Sequence, residues 1–157
     1  MSLNLLSRRA GKALKKRGQI LVTAESCTGG WVAEALTSVA GSSDWFERGY
    51  VTYSNAAKRE LLGVEAKTLK KFGAVSVQTA RAMAKGALSR GRGTISVAIT
   101  GIAGPGGGAP GKPVGTVCFA WARGRRIRSE TRRFRGGRTS MWRQSVAHAL
   151  RGVLKWL

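Results

Sequence analysis

Three short apolar runs, Gln19–Ala24, Gly49–Tyr53 and Thr94–Thr100, each lead within one residue into a turn that holds Ser, Thr, Asn or Gly. This feature most constrains the fold. Runs of that length bounded by turn residues read as strands, and the 3.6-residue apolar spacing between them reads as helices. Leu5, Leu6, Ala10, Ala13 and Leu14 predict a first helix ended by Gly18. Trp31 to Val39 predicts a second, with Thr28 as a plausible cap. Ser54 or Asn55 caps a helix carrying Ala57, Leu61 and Leu62, and Val64–Phe72 is a short helix or turn. Ser76 opens another helix through Ala87. Val114–Ala122 and Ile127–Phe134, joined across Arg123-Gly-Arg-Arg126, form a hairpin, and Thr139–Trp156 closes the chain as a helix. The resulting order is α-β-α-β-α-α-β-β-β-α. Alternation of this kind predicts a layered α/β domain with a mixed sheet of about five strands, mostly parallel, in which the hairpin supplies one antiparallel strand. With 157 residues and no long linker, residues 1–157 are expected to form a single domain.

Composition narrows the chemistry. Cys27 and Cys118 are the only cysteines, too few for a disulfide framework or a four-thiolate zinc site. His148 is the sole histidine and Asp44 the sole aspartate. That scarcity disfavours two-metal phosphoryl transfer and the carboxylate pair of glycoside hydrolysis, so no metal and no cofactor are expected. No apolar run approaches bilayer length, and no signal-peptide core opens the chain; the expectation is a cytoplasmic protein without a membrane partner. Twenty-eight Lys and Arg against seven Asp and Glu give a net charge of +21, which attracts polyanions whether or not binding them is its purpose. Eight arginines fall within Arg123–Arg138, either as a solvated strand pair or as a polyanion patch.

In open α/β sheets ligands bind beyond the carboxyl ends of the strands. Glu25-Ser-Cys-Thr-Gly-Gly30, Tyr53-Ser-Asn-Ala-Ala-Lys58 and the loop Gly101–Pro113 all fall there. Ser26 can point its hydroxyl into such a cleft, with the N–H groups of Thr28, Gly29 and Gly30 facing an anion; alternatively, Ser26, Cys27 and Thr28 only cap the following helix. Lys58 becomes a general base if desolvation lowers its pKa, with Tyr53 as a proton relay; alternatively it is a solvated lysine on a helix face. The loop lacks the Gly-Lys-Ser/Thr of a phosphate-binding motif and the G-x-G-x-x-G of a dinucleotide site. Its glycines either let backbone approach a ligand or make a flexible surface loop. Cys27 is a second candidate nucleophile, activated only by a positive helix end.

Taken in order, Ala24-Glu-Ser-Cys-Thr-Gly-Gly30, Gly41-Ser-Ser43, Arg48-Gly-Tyr-Val-Thr-Tyr-Ser-Asn55 with Lys58, Leu62-Gly-Val64, Gly73-Ala-Val-Ser76, and Thr100-Gly-Ile-Ala-Gly-Pro-Gly-Gly-Gly108 with Lys112-Pro-Val-Gly-Thr116 resemble the CinA C-terminal domain family. Its members are nicotinamide mononucleotide (NMN) deamidases. The resemblance implies a three-layer α/β/α domain, usually homo-oligomeric. It also implies metal-free hydrolysis of NMN to nicotinate mononucleotide and ammonia, in pyridine nucleotide salvage. Ser26 matches the nucleophile position, and Tyr53 and Lys58 match the assisting residues. On that reading Lys112 and Arg143 are the expected phosphate contacts, Asn55, Thr100 and Gly101 line the substrate, and Thr28–Gly30 hold the oxyanion. Two departures stand out: Gly137 replaces a commonly acidic residue, and the arginine excess is unusual. The N-terminal domain of longer members does not occur in this sequence, so its activity is not expected. The competing reading is a non-catalytic, DNA-associated module that exploits the charge.

Overall fold

The apolar runs line up as strands of one sheet. A computed structural model describes residues 1–157, in the order α1 (Leu3–Lys16), β1 (Leu21–Glu25), α2 (Trp31–Thr37), β2 (Phe46–Val51), α3 (Asn55–Leu62), α4 (Ala66–Phe72), α5 (Val77–Arg90), β3 (Ile95–Gly101), β4 (Thr116–Arg123), β5 (Arg126–Arg133) and α6 (Arg138–Trp156). Three helices, not two, separate β2 from β3, because Ala66–Phe72 is a helix with Leu69 buried. Strand β2 begins three residues earlier than its apolar run suggests, at Phe46, which pairs with Leu21. It is an edge strand with alternating exposure, so only half of its residues needed to be apolar.

The spatial order is β2-β1-β3-β4-β5. β1 pairs in parallel with β2 and β3, while β4 is antiparallel to both β3 and β5. Four strands therefore run one way and β4 alone opposes them. The β4–β5 turn is the two-residue kind, with Gly124 at φ 60° in its first central position, where a side chain would be strained.

The two faces of the sheet differ in bulk. Val97, Ile99, Val117, Phe119 and Trp121 meet α1, α2 and α6 in one core cluster. Ala98, Cys118, Ala120 and Ala122 meet Ala80, Met83, Ala84 and Ala87 of α5 in the other. Small residues on both sides let α5 lie close to the sheet, and Ser96 Oγ donates to the Ala84 carbonyl at 2.7 Å. Gly86 brings α5 equally close to α3, since a Cβ there would collide with the Leu62 carbonyl. Ser2, Ser54 and Ser76 cap α1, α3 and α5 by accepting the N–H of Leu5, Ala57 and Thr79. No helix is long and apolar enough to cross a membrane.

Candidate active site

Because β1, β2 and β3 are parallel, the turns that follow them emerge at one edge of the sheet. There they enclose a cavity of about 300 Å³ whose walls include Ser26, Tyr53, Lys58, Thr100, Gly101 and Arg138. Ser26 leaves β1 with its N–H bonded to the Ile99 carbonyl at 2.9 Å, which fixes the turn against β3. Lys58 sits on the inner face of α3 and is only 1% exposed. Its Nζ lies 3.0 Å from Ser26 Oγ, 2.9 Å from the Thr52 carbonyl oxygen and 3.0 Å from the Tyr53 carbonyl oxygen. No carboxylate is paired with it. Burial holds its pKa below the ordinary lysine range, because a desolvated ammonium without a counter-ion is costly.

An amine has two N–H groups and one lone pair. If Lys58 is neutral, Thr52 and Tyr53 take both N–H groups, and the lone pair is left for the Ser26 hydroxyl. This is the arrangement that draws a proton from a serine.

Tyr53 joins this cluster through its backbone. Its side chain is 63% exposed, and its hydroxyl makes no hydrogen bond to Ser26 or Lys58, so the geometry gives a direct serine–lysine contact in place of a phenolic relay. Cys27 is buried, and desolvation pushes its thiol up to about 12; it is no thiolate at neutral pH.

The start of α2 differs from the expected anion cradle. Glu25, 1% exposed, turns its carboxylate back onto the helix. Oε1 accepts from Val32 N–H at 2.9 Å and from the Thr28 hydroxyl at 2.6 Å, and Oε2 accepts from Ala33 N–H at 3.0 Å. Gly30 N–H faces the same carboxylate, and Gly29 N–H is used by the Ser26 carbonyl. Burial raises the Glu25 pKa, and the Thr28 hydroxyl and these amides draw it partly back. The Gly29 and Gly30 N–H groups are therefore already taken, one by the turn and one by Glu25. Thr28 supports Glu25 rather than capping α2 with its own side chain. Such a role for Glu25 carries no local sequence signal, because it depends on how the turn folds back.

The remaining expected contacts divide. Thr100 and Gly101 line the cavity, with the Thr100 hydroxyl donating to the Ala74 carbonyl at 2.8 Å. Asn55, exposed at the start of α3, does not line it. Lys112 is engaged with the Phe72 carbonyl at 2.7 Å. Arg143 lies over the Trp31 ring and lines a separate cavity with Phe134 and His148. Arg138, unremarked in the sequence among so many arginines, is the cation that reaches the Ser26 cavity. No group of three or more His, Cys, Asp or Glu side chains is placed to hold a metal.

The chain is 55% identical over 149 residues to the nicotinamide-nucleotide amidohydrolase PncC of Escherichia coli K12, covering 92% of this chain and 88% of that protein. It is 49% identical over 153 residues to the enzyme of the same name from Pseudomonas putida, covering 98% and 96%. The crystal structure of the competence/damage inducible protein CihA from Agrobacterium tumefaciens superimposes with a TM-score of 0.94 at 47% identity, over 98% of this chain and 94% of that one. A CinA superfamily protein from Klebsiella pneumoniae gives 0.96 at 39% identity, over 99% and 97%. The CinA C-terminal domain model matches residues 4–157. The chain belongs to the CinA C-terminal domain family.

Proposed function

We propose that this chain is a nicotinamide-nucleotide amidohydrolase that converts NMN and water to nicotinate mononucleotide and ammonia, with Ser26 as nucleophile and Lys58 as its base. The observation that carries the reading is the buried Lys58 Nζ, 3.0 Å from Ser26 Oγ and without a carboxylate partner. The names of the relatives supply the substrate class.

The neutral amine of Lys58 takes the Ser26 proton as Oγ attacks the carboxamide carbon. The oxyanion falls to amides on the cavity wall that make no backbone hydrogen bond within the chain, those of Cys27 after the nucleophile and of Ala103 and Gly104 in the facing loop. Lys58, now an ammonium, returns the proton to the departing nitrogen, and ammonia leaves. Water then attacks the acyl-enzyme with Lys58 again as base, releasing the nicotinate product and restoring the serine hydroxyl. A serine–lysine pair needs no histidine or metal to run both half-reactions.

The test is ammonia release from NMN by the purified protein. Wild type turns over, and Ser26→Ala, which loses one small hydroxyl, folds normally and falls by about 10⁴-fold or more, as removal of an activated nucleophile does. A variant that kept a tenth of the wild-type rate would remove Ser26 from the mechanism. EDTA leaves the rate unchanged; inhibition reversed by one divalent ion would overturn the metal-free route.

A further inference from the structure

We propose that the groove between α1 and the turn at Val39–Gly41 binds the phosphate backbone of duplex DNA without reading its sequence, as a second site separate from the Ser26 cavity.

Close packing builds the groove. Gly11 lies on the inner side of α1 against Trp45, and a Cβ there would collide with the Trp45 ring, so glycine lets the helix settle onto this floor. The cavity has a volume of about 640 Å³. Its α1 wall carries Arg8, Arg9, Lys12 and Lys15, and its only carboxylate is Asp44, which Lys15 holds at 2.8 Å. Arg8, Arg9 and Lys12 are exposed and have no carboxylate partner. On the opposite wall the N–H groups of Ala40 and Gly41 make no backbone hydrogen bond within the chain. Cations without a counter-ion thus share one groove with amides that have no backbone acceptor. Gly41, which opens the Gly41-Ser-Ser43 segment, has no place at the Ser26 cavity and lies here instead.

The arrangement of the donors selects the ligand. Arg8, Lys12 and Lys15 follow one another at intervals of four and three residues, so they share a face of α1. They are spaced by about 6 and 4.5 Å along the helix axis. A row of that kind suits a repeating anion, such as a DNA strand with a phosphate about every 3.4 Å, better than a single one. No exposed aromatic side chain lines the groove, since Trp45 is 4% exposed. Proteins that hold single strands stack the bases on aromatic rings, so a duplex, whose bases are already stacked inside, is the nucleic acid that fits. Contacts to phosphate position a duplex and carry no sequence information. The net charge of +21 draws DNA in from a distance, and the groove gives it a place to dock. None of these residues lines the Ser26 cavity.

Anisotropy titrations of a short fluorescent duplex over a range of salt test the site with two variants of equal charge. One combines Arg8→Gln, Arg9→Gln and Lys12→Gln; the other combines Lys67→Gln, Lys70→Gln and Lys71→Gln on α4, which are exposed and outside the groove. Wild type binds two duplexes of unrelated sequence alike. The groove variant loses about tenfold or more in affinity at fixed salt, and its salt slope falls in magnitude by about 2–3. The α4 variant changes that slope by less than about 1. Equal losses in the two variants would show that net charge alone holds the DNA and would overturn the site. Absence of binding by wild type, or a preference for one sequence, would overturn it too. Tripolyphosphate at matched charge displaces the duplex poorly; efficient displacement would make the groove a site for a small oligoanion and end the assignment to DNA. A measurement on the unaltered protein guards against a variant that folds badly. The duplex slows modification of Lys12 by an amine-reactive reagent and leaves Lys70 as reactive as before, and equal protection of both lysines removes the site.

Discussion

On the proposed serine–lysine mechanism, Lys58 ties catalysis and stability to the same proton. The amine is active only when neutral, so kcat/KM rises with pH through the lowered Lys58 pKa and falls on the acid side of it. A profile with no fall on the acid side would contradict Lys58 as base. The stability consequence has a defined sign. Burial lowers the pKa in the folded state, so between that value and the unfolded value of about 10.4 the unfolded chain binds more protons and stability increases with pH. Denaturant unfolding of wild type and Lys58→Met at neutral pH and near pH 9.5 isolates this group: wild type gains on the variant as pH rises. Tyr53→Phe provides a second discrimination. With the Tyr53 carbonyl holding Lys58 and the ring exposed, loss of the hydroxyl changes kcat less than about threefold, whereas a phenolic relay requires a drop of about 10²-fold or more.

At the scale of elements, the position of Lys58 depends on how closely α3 approaches α5. Replacing a helical glycine by alanine ordinarily stabilises by about 1 kcal/mol. Gly86→Ala reverses that sign, because the new methyl meets Leu62 backbone rather than a side chain that can turn aside. The variant loses about 1–3 kcal/mol, visible as a lower Tm. It also loses activity beyond what the remaining folded fraction explains, since Leu62 lies one turn beyond Lys58 on α3. Unchanged turnover at a lower Tm would show that α3 is not held this way. Strand–helix alternation and the helix starts at Ser54 and Ser76 were legible because period and capping are local properties. The start of β2 was not, because an edge strand needs apolar residues on one face only. Ser26 and Lys58 could be picked out from turn chemistry at strand ends together with the family resemblance. Glu25, Arg138 and the Tyr53 carbonyl could not, because each acts through a contact made by the folded backbone. Arg143 and Lys112 stand out only by their charge, which says nothing of the cavity a side chain reaches.

The whole molecule carries +21, and the structure divides that charge by task. Arg126 and Arg128 lie over Trp156, and Arg128 also over Trp121, so part of the hairpin covers aromatic surface on the α6 side. Arg125, Arg132 and Arg133 are exposed, and none lines the Ser26 cavity. Changing these three to Gln weakens binding to duplex DNA and lowers the magnitude of its salt slope by about 1–3, while NMN turnover stays within about twofold. Anisotropy titrations over a range of salt, beside ammonia release from the same variant, measure both. A loss of turnover would place the hairpin against the site. Charge on β5 has a further effect, because β5 is an edge strand and arginine along an edge discourages pairing with another chain.

The Glu25 carboxylate seated on the start of α2 also decides what cannot bind there. It behaves as a covalently tethered ligand whose effective concentration far exceeds that of dissolved phosphate or sulfate. A small anion from solution would have to displace a group that cannot diffuse away. The amides at the start of α2 are thereby closed to a dissolved anion, while the Ser26 hydroxyl beside them is left to the cavity.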